Sequence, residues 1–92
     1  MSRDKYSTYD NQNNHVVKTL RKIRLDAGLR QTDLSTRLGR PQSYVSKYES
    51  GARQLNILEI REICEVVGIS LSHFVFLLES SIEKSDQDET ER

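Results

Sequence analysis

The sequence has few of the features that mark secreted, membrane-spanning or catalytic chains. Its only cysteine is Cys64, so no disulfide can form within the chain, and its apolar neighbours predict a small core side chain. No apolar run approaches the length that crosses a bilayer, and the N-terminus lacks the apolar segment of a signal peptide. We therefore expect a soluble, cytoplasmic protein.

Residues that could support catalysis or hold a metal are also scarce. The two histidines, His15 and His73, lie far apart in the sequence. No metal-ligand spacing, glycine-rich phosphate loop or nucleophile–base arrangement surrounds them. The sequence accordingly predicts no enzyme, no cofactor, no metal and no small-molecule substrate.

The net charge of zero conceals an uneven distribution of charge. Residues 15–55 carry nine basic and three acidic side chains, a balance of +6, whereas residues 56–78 balance at −2 and residues 79–92 at −4. A basic half joined to an acidic half is typical of a molecule that turns one face toward a polyanion. Solvated helix faces would give the same charges, so both interpretations remain open at this point.

The spacing of apolar residues predicts an all-α domain, a compact five-helix bundle. The expected helices cover about residues 14–28, 31–38, 42–50, 57–67 and 71–78. The polar segments outside this pattern predict a flexible N-terminal arm at residues 1–13 and a disordered acidic tail at residues 80–92. Residues 14–79 would then be the folded domain.

The second and third helices form the most informative stretch. Leu34 and Leu38 give the first of them an apolar stripe, Gly39 provides the turn, and Val45 with Tyr48 gives the other a second stripe. The outward positions of the third helix are polar and can hydrogen-bond base edges if the helix lies in a major groove. These positions are Gln42, Ser43, Ser46 and Lys47.

Two further features concern packing. Arg24 lies at the edge of the apolar stripe of the first helix, so we expect it to be partly buried and paired with a carboxylate, for which Glu49 is the candidate. The fifth helix has more apolar positions than one inward face can hide, which predicts a homodimer. The candidate interface residues are Phe74, Phe76, Leu77 and Leu78.

From about Leu20 to Leu78 the sequence resembles the phage-repressor and Cro-like proteins, or XRE family, which have a lambda-repressor-like helix-turn-helix fold. The resemblance is carried by LRQTDL at residues 29–34, LG at 38–39, VSKYESG at 45–51 and VGIS at 67–70. Together these segments are specific, whereas a glycine between two short helices would be weak evidence alone.

The resemblance implies roles for individual residues. Base edges would be contacted by Gln42, Ser43 and Lys47, and the DNA backbone by Gln31, Arg40, Tyr44, Ser46, Ser50 and Arg53. For Tyr44, ring packing against the neighbouring helix is the alternative to a phosphate or sugar contact. Arg24 and Glu49 would form a structural ion pair between the first and third helices.

The function expected from these features is a sequence-specific DNA-binding transcriptional regulator. Its partner would be double-stranded DNA, and it would act as a homodimeric repressor by occupying an operator. The alternative is a protein-binding module, such as an antitoxin, that holds a partner protein through the apolar fifth helix or the acidic tail.

Overall fold

The computed structural model describes the backbone of residues 2–90 and the side chains of residues 13–85. Residues 2–90 form five α-helices joined by short connections. The helices are α1 Ser2–Asp26, α2 Gln31–Leu38, α3 Gln42–Glu49, α4 Ile57–Val67 and α5 Leu71–Thr90. The predicted all-α, five-helix architecture is confirmed.

The helix ends follow from local chemistry. Gly39 has a φ of 68°, a left-handed conformation that other residues rarely adopt, and its N–H donates to the carbonyl of Thr36 at 3.0 Å. At the start of α4, the Asn56 side chain accepts from the N–H of Glu59 at 2.8 Å, and the Glu59 carboxylate accepts from the N–H of Asn56 at 2.9 Å. Each end thereby satisfies polar groups that the helix itself leaves unpaired.

The core draws apolar side chains from all five helices. Val45, Leu34, Ile63 and Cys64 have no exposed surface, and each buried aliphatic side chain of this size contributes about 1.5–3 kcal/mol. The remaining core residues are Leu20, Ile23, Leu29, Leu38, Tyr44, Tyr48, Ile60 and Phe74. Cys64 therefore has the packing role that its neighbours in the sequence predicted.

The first and last helices are longer than the apolar pattern predicts. α1 begins at Ser2, where an arm was expected, and α5 continues to Thr90, where a tail was expected. No glycine or proline occurs at residues 1–27 or 69–92 to end these helices, and elongation of an existing helix adds one hydrogen bond for each residue. The two helices also join through His15 Nδ1 and Ser81 Oγ, which lie 2.8 Å apart. Met1, residues 91–92 and the side chains of both terminal segments lie outside the described residues.

Within residues 2–90, no single helix is long and apolar enough to span a membrane. Helix α4 and residues 71–85 of α5 reach the required length and composition only as a pair, and that pair is bent by 104°. Ile60, Ile63 and Phe74 from this pair are buried in the core.

Candidate nucleic-acid interface

Helix α3 has one buried side and one exposed side. Tyr44, Val45 and Tyr48 are buried, because residues spaced by three or four positions share a helix face. The opposite side, which we call the exposed face of α3, consists of Gln42, Ser43, Ser46 and Lys47. Among the side chains of residues 13–85, those of Gln42, Ser43 and Lys47 make no hydrogen bond or ion pair. Their donors and acceptors are available to a ligand.

Helix α2 holds α3 from behind. Ser35 is 1% exposed, and its hydroxyl donates to the Gln42 carbonyl at 3.3 Å. A small side chain at this position lets the two helices approach closely. At the other end of α3, the Ser50 hydroxyl donates to the Lys47 carbonyl at 2.9 Å. The first hydrogen bond joins the start of α3 to α2, whereas the second closes the last turn of α3 itself, and Ser50 stays exposed.

A buried ion pair connects α1 to the last residue of α3. Arg24 donates from Nε and Nη2 to the two carboxylate oxygens of Glu49, at 2.7 and 2.9 Å, and from Nη1 to the Leu29 carbonyl at 2.8 Å. The hydrogen bond with Glu49 raises the pKa of Arg24, against the effect of burial. The amide Nε2 of Gln31 also donates to Glu49, at 3.0 Å, so this carboxylate links three helices. Arg24 and Glu49 therefore form the pair expected from the sequence.

The structure places Tyr44 differently from the exposed backbone contact that the resemblance implied. The side chain is 7% exposed, and its hydroxyl is buried without a hydrogen-bond partner. The ring packs edge-on against Tyr48, with centroids 5.6 Å apart and planes at 81°, and burial raises the pKa of the phenol. The ring is therefore packed rather than exposed, although this contact is with Tyr48 of the same helix and not with the neighbouring helix that the alternative named.

Arg40 and Arg53, the two basic residues expected at the DNA backbone, meet on Tyr44. The guanidinium carbons lie 4.7 Å and 5.1 Å from the ring centroid, within cation–π distance. Arg40 is in the turn before α3 and Arg53 in the connection after it. Their side chains remain 35% and 43% exposed, so both can reach a ligand at the protein surface.

The candidate interface residues on α5 fall into two groups. Phe74 is 2% exposed and belongs to the core of the single chain, so its assignment to a dimer interface was wrong. Phe76 is 64% exposed and stacks on His73, while Leu77 and Leu78 are half-buried against the core. Exposed Val75 belongs to the surplus of apolar positions expected on the fifth helix. The sequence interpretation missed exposed Ile57 and Leu58 on α4, because apolar periodicity alone does not fix the rotation of a short helix.

The side chains of residues 13–85 include no group of three His, Cys, Asp or Glu residues placed to hold a metal ion.

Two short helices around a glycine turn, α2 and α3, also occur in known proteins that this chain resembles. Residues 20–74 match the model of the family HTH_3, described as helix-turn-helix. An XRE-family like protein from Pseudomonas syringae pv. tomato str. DC3000 is 31% identical, with 84% of this chain and 94% of that chain covered and a TM-score of 0.76. The chain belongs to the XRE family of helix-turn-helix proteins.

Other solved structures agree. The restriction-modification controller protein C.Esp1396I is 28% identical, with 77% of this chain and 93% of that chain covered and a TM-score of 0.72. The clp gene regulator ClgR from Corynebacterium glutamicum is 20% identical, with 88% of this chain and 87% of that chain covered and a TM-score of 0.73, a likeness of fold alone. A search of curated proteins found no match. This XRE-family chain is a DNA-binding transcriptional regulator whose partner is double-stranded DNA.

Proposed function

We propose that this XRE-family protein is a cytoplasmic repressor that binds an operator as a homodimer, with α3 in the major groove. The proposal rests on the exposed face of α3. Within residues 13–85 its side chains make no hydrogen bond or ion pair, while the backbone at the start of α3 is hydrogen-bonded to Ser35 of α2. Gln42 can pair bidentately with adenine, and Lys47 can reach guanine O6 and N7. The Ser43 hydroxyl can either donate a hydrogen bond to a base or accept one from it. These three residues would specify the sequence.

The DNA backbone would be bound around this face. Gln31 lies at the N-terminus of α2, where free N–H groups and the helix dipole favour a phosphate, and its amide is oriented by Glu49. Arg40 and Arg53 supply charge, and exposed Ser46 and Ser50 supply hydroxyls. Such contacts set the position of the protein without selecting a sequence.

A homodimer would present two copies of α3 to half-sites about 34 Å apart. One solved structure of C.Esp1396I is a tetramer in complex with its natural 35-base-pair operator, which supports an oligomer on DNA for this relative. On this chain, Phe76 with Leu77 and Leu78 supplies the apolar surface for the interface, and the exposed Val75 extends it.

The test begins with a duplex selected in vitro from a random-sequence pool, titrated by fluorescence anisotropy beside a mixed-sequence duplex. Losing one base contact costs about 1–3 kcal/mol, so Gln42→Ala and Lys47→Ala should each weaken the selected complex by about 5-fold or more. The matched control is Lys22→Ala, because Lys22 is exposed on α1, pairs with Asp26 and is not among the residues proposed to contact DNA. Equal losses on both duplexes, or an affinity independent of salt, would contradict sequence-specific binding.

The second candidate function is a module that holds a partner protein, favoured by the 64% exposure of Phe76. Phe76→Asp would then abolish partner binding and leave the operator affinity and the oligomeric state unchanged. In a homodimeric repressor, the same change would produce monomers in analytical ultracentrifugation and weaken operator binding. Gln42→Ala with Lys47→Ala gives the reverse pattern, because it removes operator binding and spares a partner on α5.

A further inference from the structure

Tyr44 brings together two arginines from opposite ends of α3. Arg40 precedes the helix and Arg53 follows it, yet both guanidinium groups lie within about 5 Å of one aromatic ring. The ring is 7% exposed, so it is a fixed surface beneath the two side chains. The negative ring face attracts each guanidinium group, and nearby carboxylates offset the two positive charges.

Helix α4 supplies those carboxylates, and they are not equivalent. Arg53 Nη2 lies 2.7 Å from a Glu59 oxygen, and Glu59 is also bound to the backbone N–H of Asn56. Arg40 Nη2 lies 3.3 Å from a Glu62 oxygen, and the Glu62 side chain is 45% exposed. Glu59 therefore belongs to the helix cap, whereas Glu62 makes a longer and more exposed contact that an anion can replace.

The position of Tyr44 places this cluster beside the exposed face of α3. Successive helical residues are about 100° apart, so Tyr44 and Lys47 differ by about 60° around the axis. A guanidinium group can stack through its face and still donate two parallel hydrogen bonds from its edge, a geometry that matches a phosphate.

We propose that Arg40 and Arg53, held on the ring of Tyr44, form one phosphate-binding site for the DNA backbone. In the absence of DNA, Glu62 forms the ion pair with Arg40 that a phosphate replaces on binding. Tyr44 is a positioning residue here and does not touch DNA. This inference rests on the proposed operator binding and adds to it the way two backbone contacts are organised.

The first test separates positioning from direct contact and from a purely structural role. Tyr44→Leu removes the ring and should weaken binding to the selected duplex by about 5-fold, or about 1 kcal/mol. Tyr44→Phe keeps the ring and should retain the affinity, because the lost hydroxyl has no partner. In a variant carrying Arg40→Gln and Arg53→Gln, the addition of Tyr44→Leu should cause no further loss of DNA affinity. The two arginine substitutions alone should make the negative slope of log affinity against log salt shallower by about 1. Arg61→Gln, an exposed arginine on α4 that faces Glu65, is the charge control.

The second test uses Glu62→Gln, which keeps the shape of the side chain and should tighten binding by about 3-fold. Glu65→Gln is its matched control, since it removes the same charge from an exposed position on the same helix and should have a smaller effect. If Tyr44→Leu fails to fold, the variant carrying Arg40→Gln and Arg53→Gln still tests the phosphate site through the salt dependence, and the Glu62 and Glu65 variants still test the competing carboxylate.

Three results would overturn the inference. Equal losses in Tyr44→Phe and Tyr44→Leu would show that the hydroxyl contacts DNA. An equal loss of DNA affinity from Tyr44→Leu with and without the two arginines would show that Tyr44 has a structural role. Equal effects of Glu62→Gln and Glu65→Gln on DNA affinity would show that Glu62 does not compete with DNA for Arg40. If the unaltered protein lacks salt-dependent DNA binding, the proposed function itself fails.

Discussion

Removing Glu49 should strongly destabilise the protein, because this carboxylate is the acceptor at the centre of a buried network. It accepts two hydrogen bonds from Arg24 and one from Gln31, and the ion-paired side chains are only 7% and 5% exposed. In Glu49→Ala, Arg24 keeps one hydrogen bond, to the Leu29 carbonyl, and its charge stays buried without a partner.

Breaking a buried pair by deleting one partner costs about 3–5 kcal/mol. At about 0.05–0.15 kcal/mol per residue, a chain of 92 residues has a free energy of unfolding of about 5–14 kcal/mol, so the loss is a large fraction of it. For a domain of this size, 1 kcal/mol shifts the Tm by about 4–8 °C, and a loss of about 3 kcal/mol lowers it by about 12–24 °C.

Urea unfolding followed by far-ultraviolet circular dichroism measures this loss of stability. Repeating it at several protein concentrations separates the stability of the single chain from any contribution of dimerisation, which depends on concentration. Asp26→Asn is the control, because the Lys22–Asp26 pair is 61% and 64% exposed and should contribute less than about 0.5 kcal/mol. Replacing both members, as Arg24→Met with Glu49→Leu, should restore much of the stability. A loss below about 1 kcal/mol in Glu49→Ala, or no recovery in the double variant, would refute the reasoning.

Three further predictions concern pH, backbone conformation and thiol chemistry. Hydrogen bonds from the Asn56 backbone and from Arg53 hold the pKa of Glu59 below its usual 4.5. The contribution of this carboxylate to the free energy of unfolding is therefore complete above that value and is lost as the pH falls through the folded-state pKa. Glu59→Gln should make the free energy of unfolding depend less steeply on pH in the acid range, and an unchanged pH dependence would contradict this. Gly68 has a φ of 90°, and nothing lies within 4 Å of an added Cβ. Gly68→Ala should therefore lower the free energy of unfolding in urea by about 1–2 kcal/mol, all of it from backbone strain. An unchanged free energy of unfolding would contradict this reasoning. Burial raises the pKa of Cys64, so an aromatic disulfide reagent should label it only as urea opens the fold, and rapid labelling in native buffer would contradict the packing.

The parts of the fold that were predictable from sequence depend on local rules. Gly39 ends α2 because its conformation is intrinsic to glycine, and Asn56 with Glu59 caps α4 because both partners lie within four residues. The Arg24–Glu49 pair was predictable for another reason, since a charged residue at the edge of an apolar stripe requires a partner.

The parts that were not predictable depend on contacts between distant segments. The positions of Arg40 and Arg53 over the Tyr44 ring bring together side chains from both ends of α3, and helical periodicity does not encode this contact. On α5, Phe74 and Phe76 have similar chemistry, but a rotation of about 200° separates them, and packing decides which one enters the core. The outcome follows from the shape of the other helices.

The structure separates the residues that hold α3 from those that face outward. Glu49 fixes the helix from inside, and its loss affects both folding and the orientation of Gln31. Among the side chains of residues 13–85, Gln42 and Lys47 have no intramolecular partner, so replacing them sacrifices little stability. If α3 binds DNA as proposed, substitution at these positions should change the sequence preference on DNA while the fold is maintained. A variant of Gln42 or Lys47 with altered base preference and an unchanged urea midpoint would demonstrate this separation, whereas coupled changes would show that the exposed face of α3 also supports the fold.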